Sequence, residues 1–400
     1  MSRLDETSPA PAAAAERARG RTRGSRRRGA APRSPAWLLT TLVLAVAGAW
    51  FFAYYVPQNY APSRVDLFTE ALFVGLAATG LNILTGFNGQ VSIGHGAFFG
   101  LGAYVTALMM DDRAFVDFAG REWGLGDGVP FLATLPVVAV VCLVVGALIG
   151  FPALRVKGLY LALVTLGLAV LFPDVTKRFV RGTGGTNLVG LRGADLAPPD
   201  WYDWFPDVIA DPLDDYVGAR DQWAYYVALV LAACLLFAVF LIARSRFGRA
   251  LIAVRDHEAA AETVGINLAR VKVSAFALSA AYAGLAGSLS VLVARQANAN
   301  RVETFQLSIE FLVALVVGGT ATVFGPMLGG FVVVFFRDWI DQQQRLEDLF
   351  DSSDRAKLLS PAIFGIGLIV MMFFLPDGIV GGTRRAWRRF TRRRTHSITT

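Results

Sequence analysis

Cysteine and lysine are scarce in this sequence, and their neighbours in the chain argue against a disulfide framework, a metal site and a phosphate-binding loop. Both cysteines, Cys142 and Cys234, lie inside apolar runs, so they predict neither a disulfide framework nor a metal site. None of the four lysines lies in a Gly-Lys-Ser/Thr phosphate-binding loop. If ATP drives a protein of this sequence, the nucleotide site must be on another subunit. A channel or an ion-coupled carrier would show the same absence.

Charge is rare inside the apolar runs, which are long enough to cross a bilayer of about 30 Å. The sequence is 54% hydrophobic and its mean hydropathy is +0.49, which exceeds the values usual in soluble proteins. The alternating apolar and polar segments of an outer-membrane barrel are absent. The composition therefore predicts an all-α, polytopic membrane protein with eight to ten transmembrane helices, including short or broken helices near its centre.

The net charge of +7 is concentrated at the two ends of the chain. Nine arginines lie within the first 36 residues, and seven more lie between Arg384 and Arg394. Basic tails beside apolar spans are typical of cytoplasmic ends that contact anionic lipid, which argues against nucleic acid as a partner. We expect cytoplasmic tails at 1–35, disordered, and at 381–400, around a transmembrane domain. A cleaved signal peptide is a weaker alternative, because the first apolar run is long enough to remain as a span.

The order of apolar runs predicts the membrane crossings. The predicted spans lie at about 36–56, 67–84, 131–150, 158–172, 223–243, 271–294 and 359–377, with a shorter helix at 95–110. Pro173 should end the helix before it at Phe172, because proline lacks an N–H and disfavours helix in the preceding residue. The acidic loop 174–222 suits the outside, and the basic loop 244–270 suits the cytoplasm.

The stretch 308–338 is too long for one straight helix. Gly318, Gly319, Gly325 and Pro326 break it into two pieces of roughly 11 to 14 residues. The acidic residues after it place its end outside. Because both tails require an even number of crossings, we expect this stretch to enter and leave on the outer side as a hairpin of two short helices.

The stretch Gly80–Tyr104, GLNILTGFNGQVSIGHGAFFGLGAY, is as apolar as a membrane span but is interrupted by glycines and polar side chains. An unsatisfied polar group is costly in hydrocarbon, so this stretch belongs inside a helix bundle or beside a water-filled path. We expect His95, Gln90 and Asn88 to satisfy one another and the broken backbone. Direct contact with a solute is the alternative.

Glycines also recur at corresponding positions in the two halves, as Gly96-xxx-Gly100 and Gly325-xxx-Gly329. This spacing lets helix backbones approach closely, and paired Gly-interrupted segments point to a central binding site. These glycines either serve helix packing alone or also line a transport pathway, and the sequence leaves both alternatives open. The candidate pathway residues are Asn82, Asn88, Gln90, Ser92, His95, Gly96, Gly100, Gly318, Gly319, Gly325 and Gly329.

Two carboxylates, Glu70 and Glu310, lie near the starts of apolar runs. They suit either an interfacial position or a helix N-terminus, and a proton relay is the alternative. Other mid-span carboxylates are lacking, which favours an externally powered transporter over an ion-coupled carrier. Ser92 and His95 could form a hydrolytic pair, but nothing nearby supplies an acidic partner.

The basic loop contains a short segment with strong helix formers. Glu258 to Glu262 should be helical, and Gly265 should stop that helix. Such a helix could dock a partner by presenting Arg255, His257 and Glu258 for polar contacts. A solvated connecting loop is the alternative.

Five segments in register resemble the LivM-type permease subunits of bacterial branched-chain amino-acid ABC importers. They are Gly80–Tyr104, GLYLALVTLGLA at 158–169, RGTGGTNLVGL at 181–191, HEAAAETVGIN at 257–267 and SIEFLVALVVGGTATVFGPMLGG at 308–330. The resemblance implies a second, related permease, two cytoplasmic ATPase subunits that bind ATP, and an extracytoplasmic substrate-binding protein. It also implies a multi-pass protein of the bacterial inner membrane, and we expect both of its termini to be cytoplasmic.

The resemblance places one functional surface, and the outward position of a second loop suggests another. The region that couples to the ATPase comprises Arg255, His257, Glu258, Ala259, Ala260, Glu262 and Gly265. A loop formed by Thr183, Gly184, Gly185, Thr186 and Asn187 is either a simple turn or a docking surface for the binding protein.

We expect the chain to move branched-chain or related small amino acids by alternating access, with no catalytic residue, metal or cofactor of its own. The same machine carrying urea or a short amide is an alternative. An ion-coupled secondary carrier and a membrane enzyme are alternatives from other classes.

Overall fold

The computed structural model describes part of the chain, and everything below concerns that part. The described residues are 48, 50–111, 115–118, 121–124, 129–153, 159–181, 188–190, 216–298, 301–342, 365, 366, 369, 373 and 378–382. The predicted tail 1–35 lies outside them. So do most of the first and last predicted spans and nearly all of the tail 381–400.

Long helices make up most of the described structure. The α-helices are α1 (Val56–Asn59), α2 (Pro62–Asn82), α3 (His95–Met110), α4 (Phe131–Ala153), α5 (Leu159–Phe179), α6 (Tyr216–Arg244), α7 (Arg246–Asp256), α8 (Glu258–Thr263), α9 (Leu268–Ala294), α10 (Arg301–Gly318) and α11 (Gly325–Asp341). π-Helical turns cover Phe51–Tyr55 and Ile83–Phe87. Within the described ranges, five helical segments are long and apolar enough to span a membrane: Pro62–Phe87, Phe131–Pro152, Tyr160–Phe179, Arg220–Arg244 and Leu268–Ala294. The all-α, polytopic membrane architecture is confirmed.

Short strands bring several helix ends together. They are β1 (Phe115–Phe118), β2 (Arg121–Gly124), β3 (Val180–Arg181), β4 (Leu188–Gly190) and β5 (Gln296–Asn298). β1 pairs antiparallel with both β2 and β3, and β4 pairs antiparallel with β5. Because β1 follows α3, β3 follows α5 and β5 follows α9, the carboxyl ends of these three helices lie at one end of the bundle.

α2 and α9 form the centre of the bundle. In their most apolar windows, 94% of the α2 residues and 83% of the α9 residues are buried, against 22% in α4 and in α6. Both central helices are rich in alanine and glycine, which let neighbouring backbones approach closely. α4 and α6 instead carry large exposed apolar residues such as Leu148 and Phe237, as expected of helices that face lipid.

The stretch 308–338 is broken where the sequence predicts, between Gly318 and Gly325. The pieces are longer than expected, however: α10 has 18 residues and α11 has 17. Each helix extends beyond its apolar run. Apolar residues indicate which part of a helix lies in the membrane, whereas backbone hydrogen bonds decide where the helix ends. Gly319 at the break has φ +111°, a conformation that favours glycine.

The prediction that Pro173 ends a helix at Phe172 is wrong. α5 continues to Phe179 with Pro173 inside it. Proline removes one N–H donor, and helices inside a membrane tolerate this where neighbouring groups satisfy the backbone. The carbonyl that loses its helical partner is that of Ala169, four residues before Pro173. Thr176 forms a separate bond, donating its hydroxyl to the Pro173 carbonyl at 2.9 Å.

Candidate functional site

Asn82 joins the end of α2 to the break between α10 and α11. Its Oδ1 accepts a hydrogen bond from the Ala321 N–H at 2.9 Å, and its Nδ2 donates to the Thr322 carbonyl at 2.7 Å. Ala321 has φ +57°, which is unfavourable for a residue with a Cβ. The fully buried Asn82 amide therefore holds a strained loop in place.

His95 opens α3 and is bonded to α9. Its Nε2 lies 2.6 Å from Ser279 Oγ, and Ser279 donates its own hydrogen to the Gly80 carbonyl at 2.6 Å. Because that hydroxyl has no second hydrogen, Nε2 must be the donor to Ser279. His95 Nδ1 lies 3.4 Å from Ser92 Oγ. The expectation that His95, Gln90 and Asn88 satisfy one another is wrong, since His95 pairs with serines.

Asn88 follows the π-helical turn and is 3% exposed. Neither its Nδ2 nor its Oδ1 has a hydrogen-bond partner among the described residues. Gln90 bonds through its backbone: its N–H donates to the Leu84 carbonyl, and its carbonyl accepts from Thr85 Oγ1. The break after α2 thus contains one buried amide that the surrounding chain leaves unsatisfied, which is uncommon in native proteins.

The candidate glycines lie at close helix contacts. A Cβ on Gly96 would collide with the Thr304 carbonyl of α10, and one on Gly329 would collide with the Ala314 carbonyl. The Gly96 N–H also donates to Ser308 Oγ at 2.9 Å. Gly100, Gly318 and Gly325 are similarly crowded. Their packing role is observed, while pathway lining stays a prediction.

The predicted short helix in the basic loop is confirmed as α8. His257 caps it, with Nδ1 accepting from the Ala260 N–H at 3.2 Å. At its other end the Gly265 N–H donates to the Glu262 carbonyl and the Ile266 N–H to the Ala261 carbonyl, with Gly265 at φ +84°. These two bonds form a Schellman motif, in which glycine takes the left-handed position.

α8 is fixed to the bundle on one side and open on the other. Ala261 is 2% exposed, and Glu258 accepts from Lys272 Nζ of α9 at 2.6 Å. Ala259, Ala260 and Glu262 are exposed. The segment is therefore an ordered helix with an exposed surface of small residues, while its role as a docking element stays a prediction.

Arg255 at the end of α7 contacts the break after α2, within the same chain. Its Nη1 donates to the Gly86 carbonyl at 2.9 Å. Its Nε and Nη2 both donate to Asp256 Oδ1 at 3.0 Å. The structure therefore brings together the two segments that the sequence singles out, the polar break and the basic loop.

Glu70 and Glu310 are paired with Arg337, and neither lies at a helix N-terminus. Arg337 Nη1 donates to Glu310 Oε1 at 2.9 Å, and Nη2 donates to Glu70 Oε1. Glu310 lies in the middle of α10, which begins at Arg301. The expected helix N-terminus explanation is therefore wrong, because both helices begin earlier than their apolar runs. An ion pair across three helices accounts for these carboxylates.

The candidate docking loop, from Thr183 to Asn187, lies outside the described residues. Its role as a binding-protein contact stays a prediction.

Comparison with known proteins identifies the family. The family described as "Branched-chain amino acid transport system / permease component" matches residues 63–376. The chain belongs to this family. The permease is 31% identical to the high-affinity branched-chain amino acid transport system permease protein LivM of Escherichia coli (strain K12) over 361 residues, covering 87% of this chain and 75% of LivM.

Two further relatives extend the comparison. LivM of Salmonella typhimurium is 30% identical over 361 residues, with 87% and 75% of the two chains covered. The Escherichia coli permease protein LivH is 22% identical over 307 residues, covering 76% of the permease and 90% of LivH. No solved structure is a significant match.

The family is one of transport permeases, not enzymes. The surroundings of Ser92 and His95 agree with this, since the other ring nitrogen of His95 donates to Ser279 and not to a carboxylate. A histidine oriented by a carboxylate is the usual feature of serine hydrolases. In the permease His95 joins α3 to α9 through Ser279.

A group of charged residues near the start of α2 was not predicted from the sequence. Asp221 is 5% exposed, and its Oδ1 lies 3.6 Å from Arg220 Nη2 and 3.8 Å from Arg295 Nη2. Asp66 lies within electrostatic reach of all three groups. The sequence feature that could have predicted this group is an arginine next to an aspartate at the start of an apolar run. Ionisable groups in membranes are rarely unpaired, so such a pair indicates further charged residues nearby.

Proposed function

We propose that the permease imports branched-chain or related small amino acids as one of two permease subunits of an ABC importer. The family match over 63–376 carries this proposal, and the relatives named LivM and LivH support a pair of related permeases. ATP binds to two separate ATPase subunits, and an extracytoplasmic binding protein delivers the cargo. The chain lies in a bacterial inner membrane with both termini in the cytoplasm.

In this proposal α8 is the element that docks on the ATPase. Three observations support it: both ends of α8 are capped, Ala259 and Ala260 are exposed, and Glu258 is bonded to the almost buried Lys272. A rigid, anchored helix with a small-residue surface can transmit a displacement of its partner to the rest of the bundle. A flexible loop would change its own conformation instead.

The pathway runs beside the break after α2 and the break between α10 and α11. Its support is the concentration there of buried polar groups, namely Asn82, Asn88, Ser92 and His95. Alternating access then consists of two arrangements of these broken segments, which ATP and the loaded binding protein stabilise differently. No covalent chemistry takes place in the chain.

A pull-down tests the docking assignment. The double variant Glu258→Ala with Gly265→Pro removes the ion pair to Lys272 and a left-handed glycine that proline cannot replace. We expect clearly weaker association with the ATPase and normal membrane insertion. Arg270→Gln is the control, because Arg270 is an exposed residue in the first turn of α9, close to α8 in the sequence. Unchanged association of the double variant would contradict the assignment.

Reconstitution tests the function as a whole. Vesicles containing both permeases, both ATPases and the binding protein should concentrate leucine when ATP is supplied, and urea should not compete. Vesicles containing this chain alone should not. Concentrative uptake by the lone chain would instead indicate an ion-coupled carrier.

A further inference from the structure

Arg255 is held at two points, so its guanidinium has little freedom. Asp256 accepts from Nε and Nη2 at 3.0 Å, and the Gly86 carbonyl accepts from Nη1 at 2.9 Å. Arginine suits this role because its planar group presents several donors in a fixed arrangement. The end of α7 is thereby fastened to the π-helical turn Ile83–Phe87.

The aliphatic part of Arg255 makes a second contact with the same segment. Gly89 has φ +76°, and a Cβ placed there would lie 2.7 Å from Arg255 Cγ. The Arg255 side chain thus lies across the chain just after the π-helical turn, while its guanidinium bonds to the turn itself. A displacement of α7 in either direction must move this segment.

From the turn, contacts continue to the other half of the molecule. A Cβ on Gly86 would collide with Asn82 Oδ1 and would come within 2.7 Å of the Ala321 nitrogen. Asn82 is in turn bonded to Ala321 and Thr322 in the break between α10 and α11. A continuous series of hydrogen bonds and packed backbone therefore connects α7 to both broken segments.

The segment that Arg255 contacts, from Gly86 to Gly89, also contains the unsatisfied amide of Asn88. In the observed conformation of this segment, the buried Asn88 amide has no hydrogen-bond partner, which costs free energy. A second conformation that gives Asn88 a partner would not carry this cost. Two discrete arrangements are what a transmitting element requires.

We propose that Arg255 is a positioning residue that transmits movement of α7 and α8 to the π-helical turn Ile83–Phe87, and through Asn82 to the break between α10 and α11. The proposal rests on the proposed function, because it assumes that an ATPase moves α8. It assigns to Arg255 a contact within its own chain and not a contact with the ATPase.

The test uses the complete reconstituted importer with Arg255→Gln, which removes the guanidinium but keeps a polar side chain. We measure leucine uptake, ATP hydrolysis with and without loaded binding protein, and association with the ATPase by pull-down. Uptake per ATP should fall about tenfold, which is typical of a lost coupling between sites, while association stays normal. Arg270→Gln, the same change at an exposed arginine in the first turn of α9, should leave all three unchanged.

Two results would overturn the proposal. One is normal uptake per ATP in Arg255→Gln. The other is lost association, which would place Arg255 at the ATPase surface. If Arg255→Gln fails to reach the membrane, Asp256→Ala decides the question, because Asp256 is 63% exposed and accepts two of the three bonds that hold the guanidinium, and alanine has no acceptor. Uptake per ATP should then fall, and a normal ratio rejects the proposal. Absence of ATP-dependent uptake with the unaltered chain would instead reject the proposed function.

Discussion

At the scale of single residues, Ser279 satisfies two partners at the centre of the bundle. It accepts from His95 Nε2 and donates to the Gly80 carbonyl, both at 2.6 Å. Ser279→Ala leaves the buried Nε2–H of His95 without an acceptor, which costs about 1–3 kcal/mol. The Gly80 carbonyl loses one bond but still accepts from the Ile83 N–H. We expect a lower thermal unfolding midpoint for the purified permease in detergent.

The control for Ser279→Ala lies on the same helix. Within the part of the chain that the structure describes, the Ser290 hydroxyl bonds only to the Gly287 carbonyl one turn earlier, and Ser290 is partly exposed. Ser290→Ala should therefore change the midpoint little. Equal midpoints for the two variants would show that the His95 network does not stabilise the bundle.

Residue types were easier to predict than their partners. The sequence pointed to His95, Asn82 and Arg255 because polar groups inside apolar or basic stretches are unusual. It could not show that His95 bonds to Ser279 or that Arg255 bonds to Gly86, since those partners are 184 and 169 residues away in the chain. One sequence alone gives no information on contacts at that separation.

At the scale of elements, glycine sets the distance between α3 and α9. A Cβ on Gly102 would collide with the Gly284 carbonyl, whereas a Cβ on Gly167 of α5 would meet nothing within 4 Å. Gly102→Ala should separate the two helices and destabilise the permease by about 1–3 kcal/mol. Gly167→Ala should be neutral or stabilise it by up to about 1 kcal/mol. Unfolding midpoints in detergent check both, and a neutral Gly102→Ala would mean that the helices adjust without cost.

Element boundaries were predictable where local chemistry sets them. α3 begins at His95 and ends at Met110 as predicted, and α8 stops before Gly265 because the backbone there needs φ +84°. The predictions failed where neighbouring helices decide. α5 passes through Pro173, and α10 and α11 run beyond their apolar residues, because packing and side-chain bonds stabilise turns that hydropathy alone does not mark.

At the scale of the whole molecule, polar side chains attach α2 to the α10–α11 hairpin at several places, one of which is Arg64, whose Nη1 donates to Asp338 Oδ2 of α11 at 2.8 Å. Asn82 bonds to the break of the hairpin, and Glu70 pairs with Arg337 of α11, which also binds Glu310 of α10. Residues 70 and 82 are twelve positions apart on one helix, a distance of about 18 Å along its axis. The hairpin is thus fixed at its break and again towards the other end of its two helices.

This separation predicts how two variants combine. Arg337→Gln leaves two carboxylates without their cation, which costs about 3–5 kcal/mol when the pair is buried and less here, because Arg337 is 33% exposed. Asn82→Ala removes both bonds to the hairpin break. Because the two sites share no partner, their effects on the free energy of unfolding should add to within about 0.5 kcal/mol in the double variant. A clearly smaller combined effect would show that the two attachments depend on each other, so that losing one already weakens the other.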